Sequence, residues 1–118
     1  MLAREVMTKE VLTFGPSTTL QEACLALAKA GISGAPVVDR SGKILGVLSE
    51  TDILSHLKTA MVKDAMTKGA VTAKPDSPVE EVVALMVRHD INRVPIVEGG
   101  KVLGIVTRAD VVEFFGKA

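Results

Sequence analysis

The sequence has no tryptophan or tyrosine and only three phenylalanines, Phe14, Phe114 and Phe115, so aromatic residues make up 3% of its 118 residues. Proteins that bind single-stranded nucleic acid usually stack bases on aromatic rings, and this chain has few rings to offer. Charge points the same way, because 14 basic residues balance 14 acidic ones and duplex-binding proteins normally carry a basic excess. We therefore expect no nucleic acid among its partners.

Cysteine and long apolar runs are also scarce. The single Cys24 excludes an internal disulfide, and its apolar helical surroundings predict a buried small side chain. No stretch approaches the roughly 20 apolar residues of a membrane span. Residues 1–5 are followed by polar residues rather than by the apolar segment of a signal peptide. We expect a cytoplasmic protein that does not insert into a membrane.

Motifs of catalysis and metal binding are missing as well. His56 and His89 have no cysteine or carboxylate at metal-ligand spacing, and His89 at a predicted helix end is expected on the surface. The sequence contains no nucleophile elbow, no Walker loop and no Cys-x-x-Cys pair. We therefore predict that the chain is not an enzyme and has neither catalytic residues nor a metal site.

What the chain does contain is an internal duplication. Residues 6–54 align with residues 65–112 with one gap near residues 40–41. The identical positions include Met7-Thr8 with Met66-Thr67, Pro16 with Pro75, Pro36 with Pro95, Leu45-Gly46 with Leu103-Gly104, and Asp52 with Asp110. Identical landmarks in one register predict two copies of the same structural unit. We assign residues 1–57 and 65–118 to the two repeats and residues 58–64 to a connector.

Each repeat predicts the element order β-α-β-β-α. The predicted elements are first strands at 11–14 and 70–73, helices ending near Ala30 and His89, hairpins at 35–48 and 94–106, and closing helices at 51–57 and 108–115. The first helices begin with capping-box patterns, Thr18-Thr19-Leu20-Gln21 and Ser77-Pro78-Val79-Glu80, with Pro78 in the first turn. Gly31 supplies a stop for the first of these helices.

This order predicts an α/β (α+β) fold in which each repeat forms a three-stranded sheet with helices on one face. One repeat cannot bury the other face of its sheet, but two repeats can, by packing sheet against sheet about a pseudo-twofold axis. Such packing leaves two symmetry-related clefts between the repeats. The duplication therefore predicts two candidate ligand sites.

The chain resembles a tandem pair of CBS domains, also called a Bateman module, over almost its whole length. The resemblance rests on Met-Thr near the start of each repeat, on Ile-x-x-x-Pro-Val-Val-Asp at 32–39, and on Gly-hydrophobic-hydrophobic-Ser/Thr-x-x-Asp at 46–52 and 104–110. It implies that AMP, ADP or ATP binds in the clefts and that the module regulates an attached or partner enzyme, channel or transporter. S-adenosylmethionine is a further ligand that the family takes, and we rank it below the nucleotides.

The Ser/Thr-x-x-Asp motifs carry two interpretations. Such a motif between a strand and a helix is typical of an ordinary N-cap. It also places free N–H groups where a phosphate can bind and a carboxylate where it can accept ribose hydroxyls. The resemblance assigns the ribose role to Asp52 and Asp110.

The resemblance also divides the candidate residues between two clefts. Cleft A combines Ser49 and Asp52 with Thr72, Ile91, Asn92 and Arg93, and cleft B combines Thr107, Arg108 and Asp110 with Thr13, Ile32, Ser33 and Gly34. Arg93 can hold phosphate in a bidentate fork or can lie exposed in a turn, and Gly34 stands at its place in cleft B. We expect cleft A to be the stronger nucleotide site.

Partners follow from the same interpretation. The apolar residues Leu54, Leu57, Phe114 and Phe115 on the closing helices suit a homodimer contact, and they suit the core of the module equally well. The alternative function is a structural or dimerisation module whose clefts stay empty. In that case the two Asp residues only cap helices.

Overall fold

The computed structural model describes residues 1–117 and divides them into two compact units. The continuous unit is Leu12–Ala70, and the split unit combines Met1–Val11 with the chain from Val71 onward. The elements in chain order are α1 (Ala3–Val6), α2 (Leu20–Ala30), β1 (Gly34–Val38), β2 (Ile44–Ser49), α3 (Glu50–Ser55), α4 (Val62–Ala65), α5 (Val79–His89), β3 (Arg93–Glu98), β4 (Lys101–Thr107) and α6 (Arg108–Lys117). This is the mixed α and β class expected from the sequence. The packing of sheet against sheet and the bounds of the repeats stay predictions.

Each unit contains one antiparallel hairpin. In the continuous unit β1 pairs with β2, with Pro36 opposite Val47. In the split unit β3 pairs with β4, with Pro95 opposite Ile105. Both hairpins carry an irregularity one residue after the proline, between Val37 and Val38 in the first case. The equivalent positions of the repeats therefore fold alike.

The predicted first strands are wrong, since each is reduced to a single parallel bridge. Phe14 donates its N–H to the Pro36 carbonyl at 3.1 Å and accepts from the Val38 N–H at 2.9 Å. Ala73 bridges to Ile96 in the same way. The next bond of a parallel ladder would need an N–H from Pro36, and proline has none. The sheets therefore have two strands each, not three.

The start of α2 differs from the prediction by one residue. Thr19, not Thr18, is the N-cap: its Oγ1 accepts from the Glu22 N–H at 3.1 Å, and Glu22 Oε1 accepts from the Thr19 N–H at 3.2 Å. Thr18 instead closes a turn by donating its N–H to Gly15. The helix ends at Ala30 as predicted, with Gly31 in the left-handed region at φ 68°.

The predicted capping box of α5 is wrong. Pro78 is the N-cap rather than a helical residue and has no side-chain cap, and the Ser77 hydroxyl accepts from the Lys74 N–H instead. The Val79 N–H, at the first helical position, donates to the Met1 carbonyl at 2.9 Å. A distant segment thus satisfies the backbone group that no local side chain reaches.

Two short helices, α1 and α4, were not foreseen. Ala3 in α1 and Val62 in α4 are fully buried. Ala3 donates its N–H to Ser77, and Val62 donates to Thr18, so each segment crosses the start of a longer helix in its own unit. A helix of four residues is too short for its hydrophobic periodicity to predict it from the sequence.

Each unit has its own apolar core. The core of the continuous unit is formed by Phe14, Leu20, Ala23, Leu27, Ala35, Val37, Leu48, Val62 and Ala65. That of the split unit is formed by Ala3, Ala73, Val82, Met86, Val94, Ile96 and Val106. Cys24 packs at the edge of the first core and is half-buried, so it is less buried than the sequence predicted.

Candidate functional site

The first Ser/Thr-x-x-Asp motif lies where β2 passes into α3. Ser49 is the N-cap of α3, and its Oγ accepts from the Asp52 N–H at 3.2 Å. In return Asp52 Oδ2 accepts from the Ser49 N–H at 2.9 Å and from the Ser49 hydroxyl at 3.0 Å. The capping interpretation of this motif is therefore correct. It does not exclude ligand binding, because the second carboxylate oxygen lies outside the box.

Thr67 occupies that second oxygen. Its hydroxyl donates to Asp52 Oδ1 at 2.8 Å from the segment that follows α4. His56 Nδ1 lies 2.7 Å from the Asp52 carbonyl oxygen, and because a carbonyl only accepts, this ring nitrogen carries the proton. Asp52 is half-buried and held at three points.

The second motif repeats this geometry where β4 passes into α6. The Thr107 N–H donates to Asp110 Oδ2 at 2.9 Å, and the Asp110 N–H donates to Thr107 Oγ1 at 3.1 Å. The Thr8 hydroxyl donates to Asp110 Oδ1 at 3.1 Å. Each unit therefore holds its half-buried Asp with a capping box and with one threonine from a Met-Thr pair.

The Met-Thr pairs are placed by the glycine of the Leu-Gly pairs. Thr67 and Val47 exchange two backbone hydrogen bonds of 2.9 and 3.0 Å. A Cβ on the adjacent Gly46 would lie 2.6 Å from the Thr67 carbonyl oxygen and 3.0 Å from Met66 Sδ. The two landmarks of the duplication are thus in contact, which explains why both recur.

Other predicted residues are brought beside the motifs within each unit. In the continuous unit the Glu50 N–H donates to the Ser33 carbonyl at 3.0 Å, and Gly34 pairs with Ser49. In the split unit the Arg108 N–H donates to the Asn92 carbonyl at 3.1 Å, and Arg93 pairs with Thr107. In each unit, the residues at the start of the first hairpin strand therefore lie beside the residues that follow the second hairpin strand.

The predicted apolar positions differ between the units. Ile91 is half-buried and packs against the core of the split unit, whereas Ile32 is 43% exposed. Thr13 and Thr72 are half-buried directly before the bridging residues of their units. Clefts A and B each draw residues from both units, so their composition stays a prediction.

The two arginines have different surroundings. Arg108 NH2 lies 3.4 Å from Asp90 Oδ1, and both side chains are largely exposed. Arg93 is half-buried at the start of β3. Asp90 adopts a left-handed conformation at φ 50° as the C-cap of α5, the position that Gly31 has after α2.

The split unit also contains a cavity of about 390 Å³ that the sequence did not indicate. It is lined by Met1, Glu5, Val6, Asp110, Glu113, Phe114 and Lys117. The residues from α6 follow the spacing i, i+3, i+4, i+7, which marks one helix face and could have identified them. The polar lining is internally paired: Lys117 lies 2.8 Å from Glu113, which lowers the pKa of Glu113 and raises that of Lys117, and Glu5 accepts from the Leu2 N–H.

Two further properties concern the described part of the chain. Among residues 1–117 no group of three or more His, Cys, Asp or Glu side chains could hold a metal ion. Within the same range, every helix is too short or too polar to cross a membrane.

Comparison with known proteins identifies the family. The CBS domain model matches residues 3–59 and 62–117. Inosine-5′-monophosphate dehydrogenase of Methanocaldococcus jannaschii is 39% identical over 113 residues, which are 94% of this chain and 23% of that protein. The chain thus spans under a quarter of this relative, whereas it matches 90% of the M. jannaschii protein MJ1426 at 31% identity.

Solved structures agree with this match. The CBS domain pair of protein MJ0100, in complex with 5′-methylthioadenosine and S-adenosyl-L-methionine, superposes with a TM-score of 0.91 at 32% identity, covering 99% of this chain and 97% of that one. CBSX2 in complex with AMP gives a TM-score of 0.93 at 26% identity, covering 98% and 96%. The resemblance noted in the sequence is confirmed: with both repeats matched almost end to end, the chain belongs to the CBS domain family.

Proposed function

We propose that the chain is a regulatory module that binds an adenine nucleotide, AMP, ADP or ATP, between its two CBS repeats without turning it over. The observation that carries this proposal is the pair of oriented carboxylates, Asp52 and Asp110. Asp52 accepts three hydrogen bonds, from the Ser49 N–H, the Ser49 hydroxyl and the Thr67 hydroxyl. Asp110 accepts from the Thr107 N–H and from the Thr8 hydroxyl. A carboxylate accepts about four hydrogen bonds, so Asp52 keeps one position for a ribose hydroxyl.

The relatives support the chemical class of the ligand. AMP is bound by CBSX2, and S-adenosyl-L-methionine and 5′-methylthioadenosine are bound by the MJ0100 pair. All three share adenine and a ribose, and they differ in the group at the 5′ position. We infer a ligand of this class for the present chain, with AMP as the first candidate and S-adenosylmethionine as the alternative.

We infer the roles of the site residues from the resemblance to CBS domains. Asp52 and Asp110 accept from the ribose, and Arg93 in cleft A is proposed to hold phosphate. Hydrophobic contact with adenine falls to Ile91 in cleft A and to Ile32 in cleft B. A ligand that bridges two repeats shifts their equilibrium only by its difference in affinity between the two states, which is how a partner enzyme or transporter would be regulated.

Calorimetric titration of the purified protein with AMP, ADP, ATP and S-adenosylmethionine tests the function. We expect saturable binding of an adenine ligand, and Asp52→Ala should weaken it about tenfold or more, since a hydrogen bond to a charged group is removed. Glu50→Ala is the matched control, because Glu50 is exposed in the same first turn of α3. The nucleotide should be recovered unchanged after incubation.

Two results would contradict the proposal. Ligand-free, folded protein that binds none of the four compounds would exclude the sensing function. Binding that Asp52→Ala leaves unchanged, while the variant loses about 1 kcal/mol of stability, would leave the Asp as a helix cap only.

A structural dimerisation module is the second candidate. Leu54 and Leu57 near the end of α3 are each 71% exposed, and Phe115 on α6 is 64% exposed. Large apolar side chains that are exposed often mark an interface. If they form a homodimer, light scattering should give twice the chain mass, and Leu54→Glu should lower it. Phe114 is half-buried and lines the cavity of the split unit, so it fits this interface less well.

A further inference from the structure

We propose that Thr67 and Thr8 are positioning residues, which orient the carboxylates of Asp52 and Asp110 toward the ribose of the ligand. This inference rests on the proposed function. Neither threonine belongs to the Ser/Thr-x-x-Asp motif, and neither is among the residues predicted for the clefts.

The hydroxyl of Thr67 is presented from a fixed backbone. Two hydrogen bonds join Thr67 to Val47, and Gly46 leaves no room for a side chain between the segments. The segment carrying Thr67 therefore cannot slide along β2 without breaking both bonds. This fixes the point from which the hydroxyl reaches Asp52.

The bond from Thr67 sets the plane of the carboxylate. Ser49 supplies two donors to Asp52 Oδ2 alone, and a group held through one oxygen can still turn about it. The Thr67 hydroxyl holds Oδ1 at 2.8 Å and so fixes a second point. Recognition of a ribose hydroxyl needs a carboxylate in a defined orientation, since hydrogen bonds weaken steeply with angle.

The same arrangement occurs independently in the split unit. Thr8 donates to Asp110 Oδ1 at 3.1 Å across 102 positions of the sequence, whereas Thr67 and Asp52 are 15 positions apart. A helix cap is complete with the local Ser or Thr, so capping does not explain the added donor. Two units that reach the same contact from such different sequence separations indicate a shared role.

The test compares ligands with and without the ribose hydroxyl. Thr67→Val removes only the donor, and because Thr67 is exposed the variant should fold, which thermal unfolding checks. Affinities for AMP and 2′-deoxy-AMP, and for S-adenosylmethionine and its 2′-deoxy analogue, are measured by NMR titration, which also detects weak binding. Thr67→Ser keeps the hydroxyl, and Thr59→Val, in the preceding connector of the same unit, is the control.

We expect Thr67→Val to weaken binding of the ribose ligand about three- to tenfold while changing that of the deoxy analogue much less. Thr67→Ser and Thr59→Val should bind like the unaltered protein. Thr8→Val should act in the same way on the site of Asp110, and the two changes should add in the double variant.

The remaining outcomes overturn the inference. An equal loss for both ligands would indicate a structural role, and a gain in affinity would mean that Thr67 competes with the ribose. Unchanged binding would also exclude the role, while leaving the proposed function intact. If the unaltered protein binds neither AMP nor S-adenosylmethionine, the proposed function is wrong, and the inference that rests on it is wrong as well.

Discussion

At the scale of the residue, two landmarks of the duplication, the Met-Thr and Leu-Gly pairs, are in contact with each other. Met66-Thr67 lies over Gly46, and Met7-Thr8 lies over Gly104. Each glycine permits a close approach of backbone to backbone, which any side chain would prevent. In both repeats a side chain at the glycine would therefore collide with the Met-Thr pair packed against it.

Replacing Gly46 with alanine should therefore destabilise the protein by about 2 kcal/mol, as overpacking does when the neighbour is backbone. The new Cβ would meet the Thr67 carbonyl oxygen at 2.6 Å. Gly104→Ala should cost less, because its nearest neighbour is the flexible Met7 side chain, with the Thr8 carbonyl oxygen at 3.0 Å.

Chemical denaturation measures both changes in the free energy of unfolding. Gly116→Ala is the control, since nothing lies within 4 Å of a Cβ there. A Gly46→Ala protein as stable as the unaltered one would contradict the close contact.

At the scale of the element, the ends of α2 and α5 show how local and distant groups share the capping of helices. Thr19 and Glu22 cap α2 reciprocally, whereas α5 has no side-chain cap. The Val79 N–H at the start of α5 is satisfied by the Met1 carbonyl. A capping pattern in the sequence therefore forms a cap only where its side chain has no other partner. The Ser77 hydroxyl, for example, accepts from the Lys74 N–H and does not cap α5.

Thr19→Ala should lower the free energy of unfolding by about 1 kcal/mol, and Thr18→Ala should have no capping effect. The pair decides directly between the observed cap and the position expected from the sequence. Equal losses for both variants would mean that Thr18 also contributes to the helix start.

The same cap has a pH dependence. The Thr19 hydroxyl, and then its backbone N–H, lower the pKa of Glu22 in the folded protein. The stabilisation is therefore present above the pKa of Glu22 in the unfolded chain and is lost as the pH falls through the lowered folded value. Denaturation curves at neutral and acidic pH should show that Thr19→Ala reduces this pH dependence, because alanine removes the hydroxyl and keeps the backbone N–H.

At the scale of the whole molecule, the split unit joins both ends of the described chain. Ala3 is fully buried in its core, and the Met1 carbonyl accepts from the first residue of α5. The continuous unit includes the corresponding segment, residues 60–70, in an unbroken stretch. Integrity of the split unit therefore depends on the N-terminal residues.

Deletion of residues 1–11 should unfold the split unit and leave the continuous unit with its own core. Hydrogen exchange followed by NMR should show loss of amide protection in β3 and β4 and retained protection in β1 and β2. Ala3→Glu, which buries a charge at the same place, should reproduce the effect without shortening the chain. Retained protection in β3 would show that the split unit folds without this segment.

The sequence by itself determined the duplication, the two hairpins, the ends of α2 and α5, and the motifs that carry Asp52 and Asp110. These depend on periodicity, on glycine in turns and on identical landmarks, all of which act over short distances along the chain. The sequence also explains why the predicted first strands are reduced to single bridges, because Pro36 and Pro95 lack the N–H that a longer parallel ladder requires.

Only the tertiary structure decided which segments meet. No local pattern indicates that Thr8 reaches Asp110 or that Met1 completes the start of α5. These contacts join groups that are far apart in sequence. They form because buried polar groups need hydrogen-bond partners, and the packing of each unit decides which segment supplies them. The motif alone predicted that each Asp is a hydrogen-bond acceptor at a helix start. The residue that holds the second oxygen of its carboxylate, Thr67 or Thr8, is brought there only by the fold.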